Sequence, residues 1–294
     1  MEIKYLKKLA IITPAKNEAE NIERLVKSVA SQIRIPDAWF FINDGSTDGT
    51  KEKFQSEIVK YQKLSKNCRI VVRDIDDKDG AYALGEKYSK VVNIGLRSVY
   101  KFEEEINDYF DFIGVLDCDV FPEECYYEIL LKKFDSDLML GIAAGGKQIE
   151  ESPAGNIISH NSRSHAPGGL RVWRRDCLVE TGYHVTISQD AVSEARAIMM
   201  GWKVRSFSKV SVCMRKRGAK FGYSYYGKSA YVRYVPFWYV LLGAGKLSFQ
   251  SQRKNAIQYI KGYRKAKENR ETRITDPLAK RYFRNKGFYK LLGR

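Results

Sequence analysis

Ala38-Trp39-Phe40-Phe41-Ile42-Asn43-Asp44-Gly45-Ser46-Thr47-Asp48-Gly49-Thr50 runs five apolar residues straight into a polar, glycine-bearing turn. A short continuous apolar run closed by such a turn reads as a strand buried on both faces, the kind found in parallel sheets. The same unit recurs on either side. Apolar runs at 9–13, 69–73 and 112–117 predict further strands, and amphipathic stretches at 19–32, 51–64 and 87–100 predict the helices between them. Ile22, Leu25, Val26 and Val29 mark the buried stripe of the first helix. Alternating βα units predict an α/β fold with a mostly parallel sheet flanked by helices. Ligands of such sheets bind at the carboxyl ends of the strands.

Three strand ends carry the polar residues. The first is Thr13-Pro14-Ala15-Lys16-Asn17-Glu18, the second is the Asn43–Thr50 turn, and the third is Asp117-Cys118-Asp119, followed by Val120-Phe121-Pro122. Asp44 can accept hydrogen bonds from a base or ribose, Gly45 permits a tight turn, and Ser46, Thr47 and Asp48 are suited to cap the next helix. In extended backbone residues 117 and 119 face one side while Cys118 turns into the apolar layer. Two converging carboxylates repel unless a cation sits between them. A hard divalent ion supplies that charge and keeps positions for the oxygens of a diphosphate.

Downstream, Pro122 is placed to open a helix running to Phe134, and residues 138–144 predict another strand. Residues 145–169, rich in Gly, Ser, Asn and His, predict a long irregular loop. Short elements follow at 171–173 (strand), 174–180 (helix), 191–201 (helix) and 203–213 (strand).

The order and spacing of the three strand ends resemble glycosyltransferase family 2, the inverting nucleotide-sugar transferases of the GT-A fold, over roughly residues 8–215. The resemblance implies a Rossmann-like catalytic domain over residues 1–217. It puts Pro14, Ala15, Glu18 and Asp44 in the nucleoside pocket, with Lys87 and Asn93 on a helix similar to the family's, although Val91 replaces its small residue. Asp117 and Asp119 match the metal motif. Asp119 would hold Mn²⁺ or Mg²⁺ directly, and Asp117 would contact ribose or a metal-bound water. Asp190 matches the base that deprotonates the acceptor hydroxyl, with Gln189 in place of the usual acidic neighbour. Gly168-Gly169 and the arginines after them resemble an acceptor-side segment, so Arg171, Arg174 or Arg175 either faces an anionic substrate or is a surface charge. Where relatives carry a histidine after the last strand, Arg215 or Arg217 stands here as a phosphate clamp. Gln250-Ser251-Gln252-Arg253 lacks the tryptophan of a processive synthase.

Charge divides the chain. Of 51 Lys and Arg residues, 24 lie from Lys203 onward with only 3 of the 35 Asp and Glu. Residues 218–294 read as a basic, aromatic, largely helical extension, and 234–247 as either a segment lying in a membrane interface or a helix packed on the catalytic domain. The basic excess fits an anionic membrane surface or a lipid-linked or glycan acceptor. A polyprenyl-phosphate acceptor is the alternative within the fold. Nucleic-acid binding is a remote one, since it leaves the carboxylate turns unused. No stretch reaches the roughly 18 apolar residues of a membrane span, and Met1-Glu2-Ile3-Lys4 lacks a signal-peptide core. Five scattered cysteines fit reduced thiols. The expected setting is cytoplasmic, at the inner face of the cell membrane.

Overall fold

The computed structural model describes residues 7–75, 85–151, 155–215 and 222–291, and the side chains of residues 215, 290 and 291 lie outside that description. Its first half is β1 (Leu9–Ala15), α1 (Ala19–Ala30), β2 (Ala38–Asn43), α2 (Thr50–Val59), α3 (Gln62–Asn67), β3 (Arg69–Asp74), α4 (Glu86–Ile106) and β4 (Phe112–Val115). Strands β3-β2-β1-β4 are neighbours in that order and parallel throughout. Leu9 to Ile12 and Ala38 to Ile42 are completely buried, as two-sided strands must be. The helix expected over 51–64 is two helices instead, because Tyr61 is extended and redirects the chain so that Leu64 reaches the core. A Cβ on Gly95 would come within 2.4 Å of Ile12, so α4 rests on β1 at a distance only glycine permits.

The sheet continues through β5 (Val120–Pro122), β6 (Leu140–Glu151), β7 (Ile157–His160), β8 (Arg171–Arg174) and β9 (Lys203–Arg215), in the order β4-β8-β6-β9-β5 with β7 paired to β6. Between them lie α5 (Tyr126–Ser136), α6 (Arg175–Thr181) and α7 (Gln189–Met199). Two sequence expectations are corrected. Pro122 ends β5 rather than opening a helix. It is tolerated because β5 ends the strand order and pairs with β9 alone, so no second neighbour asks for the missing N–H. The irregular stretch expected over 145–169 begins as strand, with β6 reaching Glu151 and β7 returning along it. Its glycines serve close approach rather than turning. A Cβ on Gly145 would meet the Tyr126 ring at 2.8 Å and one on Gly146 the backbone of Phe207 at 2.9 Å.

Beyond β9 come α8 (Gly222–Val232), α9 (Phe237–Phe249), α10 (Arg253–Glu268), α11 (Pro277–Arg284) and α12 (Lys286–Leu291). Helices α8 and α10 cross in backbone contact, since a Cβ on Gly227 would lie 2.1 Å from the Tyr259 carbonyl and one on Gly262 2.0 Å from that of Ser224. These helices form a second apolar cluster with α7, in which Val192 and Ala195 meet Ala230, Val235, Val240 and Phe283. Arg196 of α7 pairs with Asp276, whose carboxylate also caps α11 through the Ala279 N–H at 2.7 Å. Helix α9 packs on the other helices through one face and exposes the other: Val240 and Ala244 are buried, while Trp238, Leu241, Leu242 and Phe249 are exposed by 56%, 45%, 63% and 95%. Among the described residues no helix is long and apolar enough to cross a membrane.

Candidate active site

The ends of β1 and β2 are sewn together by side chains that turn residues normally donate and accept with. Asn17, at φ 53°, gives its N–H to Ser46 Oγ and takes the Thr47 N–H on its own Oδ1 at 2.8 Å. The Glu18 N–H donates to Thr50 Oγ1 at 2.9 Å. Asp48 accepts from the Ala19 N–H at 3.0 Å and the Thr50 N–H at 3.1 Å, so one carboxylate serves the first turns of both α1 and α2. Burial pulls the Asp48 carboxyl up, but the Thr50 hydroxyl and those N–H groups outweigh it and leave it below its ordinary range. Of the three residues expected to cap, Asp48 does so, while Ser46 and Thr47 hold the neighbouring loop.

This frame fixes Asp44. Its N–H donates to the Ala15 carbonyl at 2.8 Å, and its carboxylate is buried between Lys16 Nζ at 3.6 Å and Lys87 Nζ at 3.7 Å. Lys87 thus turns inward, and Lys16 is a site residue the sequence reading passed over. Asp44 Oδ1 is buried with no hydrogen-bond partner among the described residues. An unmet buried acceptor costs about 1–3 kcal/mol, which a ligand donor such as a nucleobase N–H removes.

Asp117-Cys118-Asp119 is a turn, closed by the Val120 N–H to the Asp117 carbonyl at 3.2 Å, and not the extended tip expected. The chain must reverse there because β5 leaves β4 to pair with β9. Cys118 is buried as expected, against the Pro14 carbonyl. Burial, with the charges of Glu18, Asp117, Asp119 and Asp48, holds its thiol well above the ordinary range. Asp117 Oδ1 accepts from the Tyr88 hydroxyl at 2.6 Å, and its N–H donates to the Gly169 carbonyl at 2.8 Å. A Cβ on Gly169 would fall 1.9 Å from Asp117 Oδ2.

Gly168 and Gly169 begin a single 3₁₀ turn that joins the two halves of the site. Gly168 packs on Asp190, with 3.2 Å between a Cβ placed there and the Asp190 Cβ, while Gly169 packs on Asp117. Arg171, completely buried, locks this arrangement: Nη1 donates to the Asp190 carbonyl at 3.0 Å, Nε to Pro167 at 3.3 Å and Nη2 to Glu194 at 3.2 Å. Glu194 also accepts the Ala166 N–H at 2.8 Å. The arginines after the glycines are therefore neither substrate-facing nor surface charges. Arg174 is buried on the Phe134, Asp137 and Leu140 carbonyls, and Arg175 pairs with Glu103. Asp190 lies in the first turn of α7 and accepts the Ala191 N–H at 2.7 Å. Asn93 points to the Tyr183 carbonyl at 3.5 Å. The side chain of Arg215 and all of Arg217 lie outside the described residues.

Among the described residues no three His, Cys, Asp or Glu side chains gather in ligand fashion. Asp117 and Asp119, the two carboxylates of the motif, both sit on the turn after β4. One carboxylate with diphosphate oxygens and waters is a donor set that suits Mg²⁺ or Mn²⁺.

Residues 10–97 match the family model described as Glycosyl transferase family 2. No curated protein matches the chain in sequence. Among solved structures, the mannosyltransferase PcManGT from Pyrobaculum calidifontis, in complex with GDP-Man and Mn²⁺, superposes with a TM-score of 0.56 at 15% identity, covering 98% of this chain and 81% of that one. TarS 1-349 of S. aureus in complex with UDP-GlcNAc gives 0.53 at 14% identity, covering 76% and 64%. GalNAc-T7 with UDP, GalNAc and Mn²⁺ gives 0.56 at 14% identity, covering 99% and 58%. The chain thus spans less than two thirds of the last two, and at these identities the likeness is one of fold. The match over 10–97 covers the strand ends that bear Asp44 and Lys16, and over the rest of the chain, through Asp117, Asp119 and Asp190, the likeness to these glycosyltransferase structures is one of fold.

Proposed function

We propose that the enzyme transfers a sugar from a nucleoside-diphosphate donor to an acceptor hydroxyl with inversion at the anomeric carbon. The observation that carries this reading is the Gly168-Gly169 turn, which lies against Asp117 on one side and Asp190 on the other. Asp44, with its unmet oxygen, takes the base, and Pro14, Ala15 and Glu18 line the nucleoside. Lys87 and Lys16 bring positive charge toward the donor, and Asn93 supports the acceptor side through Tyr183. A divalent ion on Asp119 supplies charge neutralisation at the departing diphosphate, with Asp117 beside it. Asp190 takes the acceptor proton on the face opposite the leaving group. Arg215 stays a candidate for the diphosphate.

Residues 1–217 serve as the catalytic unit and 218–294 as an extension that buttresses α7. The exposed α9 face, at helical spacing and set among basic residues, suits an anionic bilayer surface, and so a lipid-linked acceptor. Nucleoside-diphosphate release from UDP- and GDP-sugars with Mn²⁺, with the product's anomeric configuration read by NMR, tests the reading. Inversion is expected. Retention, or no release from any donor, sinks it.

A further inference from the structure

The α8–α9 junction turns at Tyr234, and three cations converge on its ring. Arg273 lies 4.5 Å from the ring centroid, Lys280 4.7 Å and Arg284 5.3 Å. Lys280 and Arg284 stand four residues apart on α11, so one helix face presents both. Arg273 comes from the loop before that helix, which the Ile274 N–H docks on the Val232 carbonyl at 3.1 Å, and it also covers the Tyr231 ring at 3.8 Å. Tyr234 itself is held at φ 64°, a left-handed conformation that costs a bulky residue about 1–3 kcal/mol and gathers at functional sites.

We propose that Arg273, Lys280 and Arg284 bind a phosphate group carried by a lipid headgroup; the lipid source rests on the reading of the exposed α9 face as bilayer-facing, and the anion site does not. All three cations lie within 5.3 Å of one centroid, so no two are further apart than about twice that distance, and like charges this close repel. The ring returns about 0.5–1 kcal/mol per cation at an exposed site. The two carboxylates nearby in sequence are committed elsewhere. Between residues 270 and 290 the acidic residues are Glu271 and Asp276, which pair with Lys228 and Arg196. Among the described residues no ion pair or side-chain hydrogen bond includes Arg273, Lys280 or Arg284, and Arg273 Nε is buried without a partner. A phosphate held by the three relieves their repulsion, and the planar forks of the arginines match its oxygens.

The surface beside the cluster assigns the carrier. Trp238, four residues after Tyr234, is exposed, and it lies against Gly287, three residues after Arg284, where an added Cβ would stand 3.2 Å from the indole. Leu241 and Leu242 extend that exposed apolar surface along α9. Cations bordering an apolar face suit a headgroup phosphate with its acyl chains beside it.

The test is calorimetry of the full chain with glycerol phosphate and with short-chain, monomeric phosphatidic acid, which share a phosphate monoester and differ in acyl chains. Phosphatidic acid is expected to bind the tighter of the two, and Lys280→Gln with Arg284→Gln to weaken both at least about tenfold. Lys265→Gln with Lys267→Gln removes the same charge from exposed positions of α10 and is expected to change either affinity less than about twofold. Should the first pair fail to fold, Arg284→Gln alone, at an exposed position, carries the test with at least about a threefold loss. Unchanged affinity in the Lys280 and Arg284 variants, an equal loss in the α10 variant, or no saturable binding of either ligand to the wild type overturns the site. Glycerol phosphate bound as tightly as phosphatidic acid overturns the lipid source. Phosphate binding that depends on Lys280 and Arg284 in a protein that does not float with anionic vesicles overturns the bilayer reading of α9 instead.

Discussion

The two sides of this site, proposed to hold the donor and the acceptor, are built by different means. The donor side rests on local hydrogen bonds between two neighbouring loops, with Asn17, Ser46, Asp48 and Thr50 each bonded to backbone a few residues from a strand end. The acceptor side rests on long-range burial. Arg171 gathers the 166–170 turn and the start of α7, and the helices after residue 222 press α7 from outside. Local caps each contribute about 1 kcal/mol and fail singly. A buried charged hub fails as a unit.

The largest expected effect separates chemistry from binding on the acceptor side. Asp190→Asn should reduce transfer by about 10²- to 10⁴-fold with nucleotide affinity unchanged; lost nucleotide binding would make Asp190 structural. Next, Arg171→Ala strands Glu194 without its guanidinium partner and should cost about 3–5 kcal/mol in denaturant unfolding, whereas a loss below about 1 kcal/mol would show that α7 holds its place without the hub. On the donor side, Asp48→Ala should cost about 1–2 kcal/mol through two helix starts. Because the Asp48 carboxyl is held below its ordinary value, its contribution is present above about pH 4 and is lost as pH falls further. The wild-type advantage over Asp48→Ala should therefore shrink on acidification, and an advantage that grows would reverse the sign. Smallest in stability is Leu242→Ser with Trp238→Ser, expected within about 0.5 kcal/mol of wild type because both side chains are exposed. Flotation of that variant with anionic vesicles should nevertheless drop; unchanged flotation removes α9 from the membrane contact.

The same contrast governs what could be read in advance. Local signals were legible: apolar runs marked β1 to β4, Asp44 and Gly45 fell at a strand end, and Asp48 capped as its chemistry suggests. Meanings set by distant partners were not. Gly145 and Gly146 looked like loop residues because the Tyr126 ring and the Phe207 backbone that need their missing side chains lie far along the chain. Pro122 looked like a helix start because its edge position follows from β9, ninety residues on. Arg171 looked like a surface or substrate-facing charge, since nothing nearby in sequence announces Glu194. Lys16 sat in plain view in the first loop, and its pairing with Asp44 depended on the β1–β2 register.

The most direct test of the account is thermal shift of the wild type and of Asp119→Ala against UDP, GDP and other nucleoside diphosphates, each with and without Mn²⁺. At a concentration one hundred times its Kd, the right nucleotide adds about 2.7 kcal/mol, a rise of about 5–10 °C for a chain of this size. The account predicts such a rise for one nucleobase with Mn²⁺, a smaller one without it, and none in Asp119→Ala with Mn²⁺. No response to any nucleoside diphosphate, or an equal response in Asp119→Ala, would contradict it.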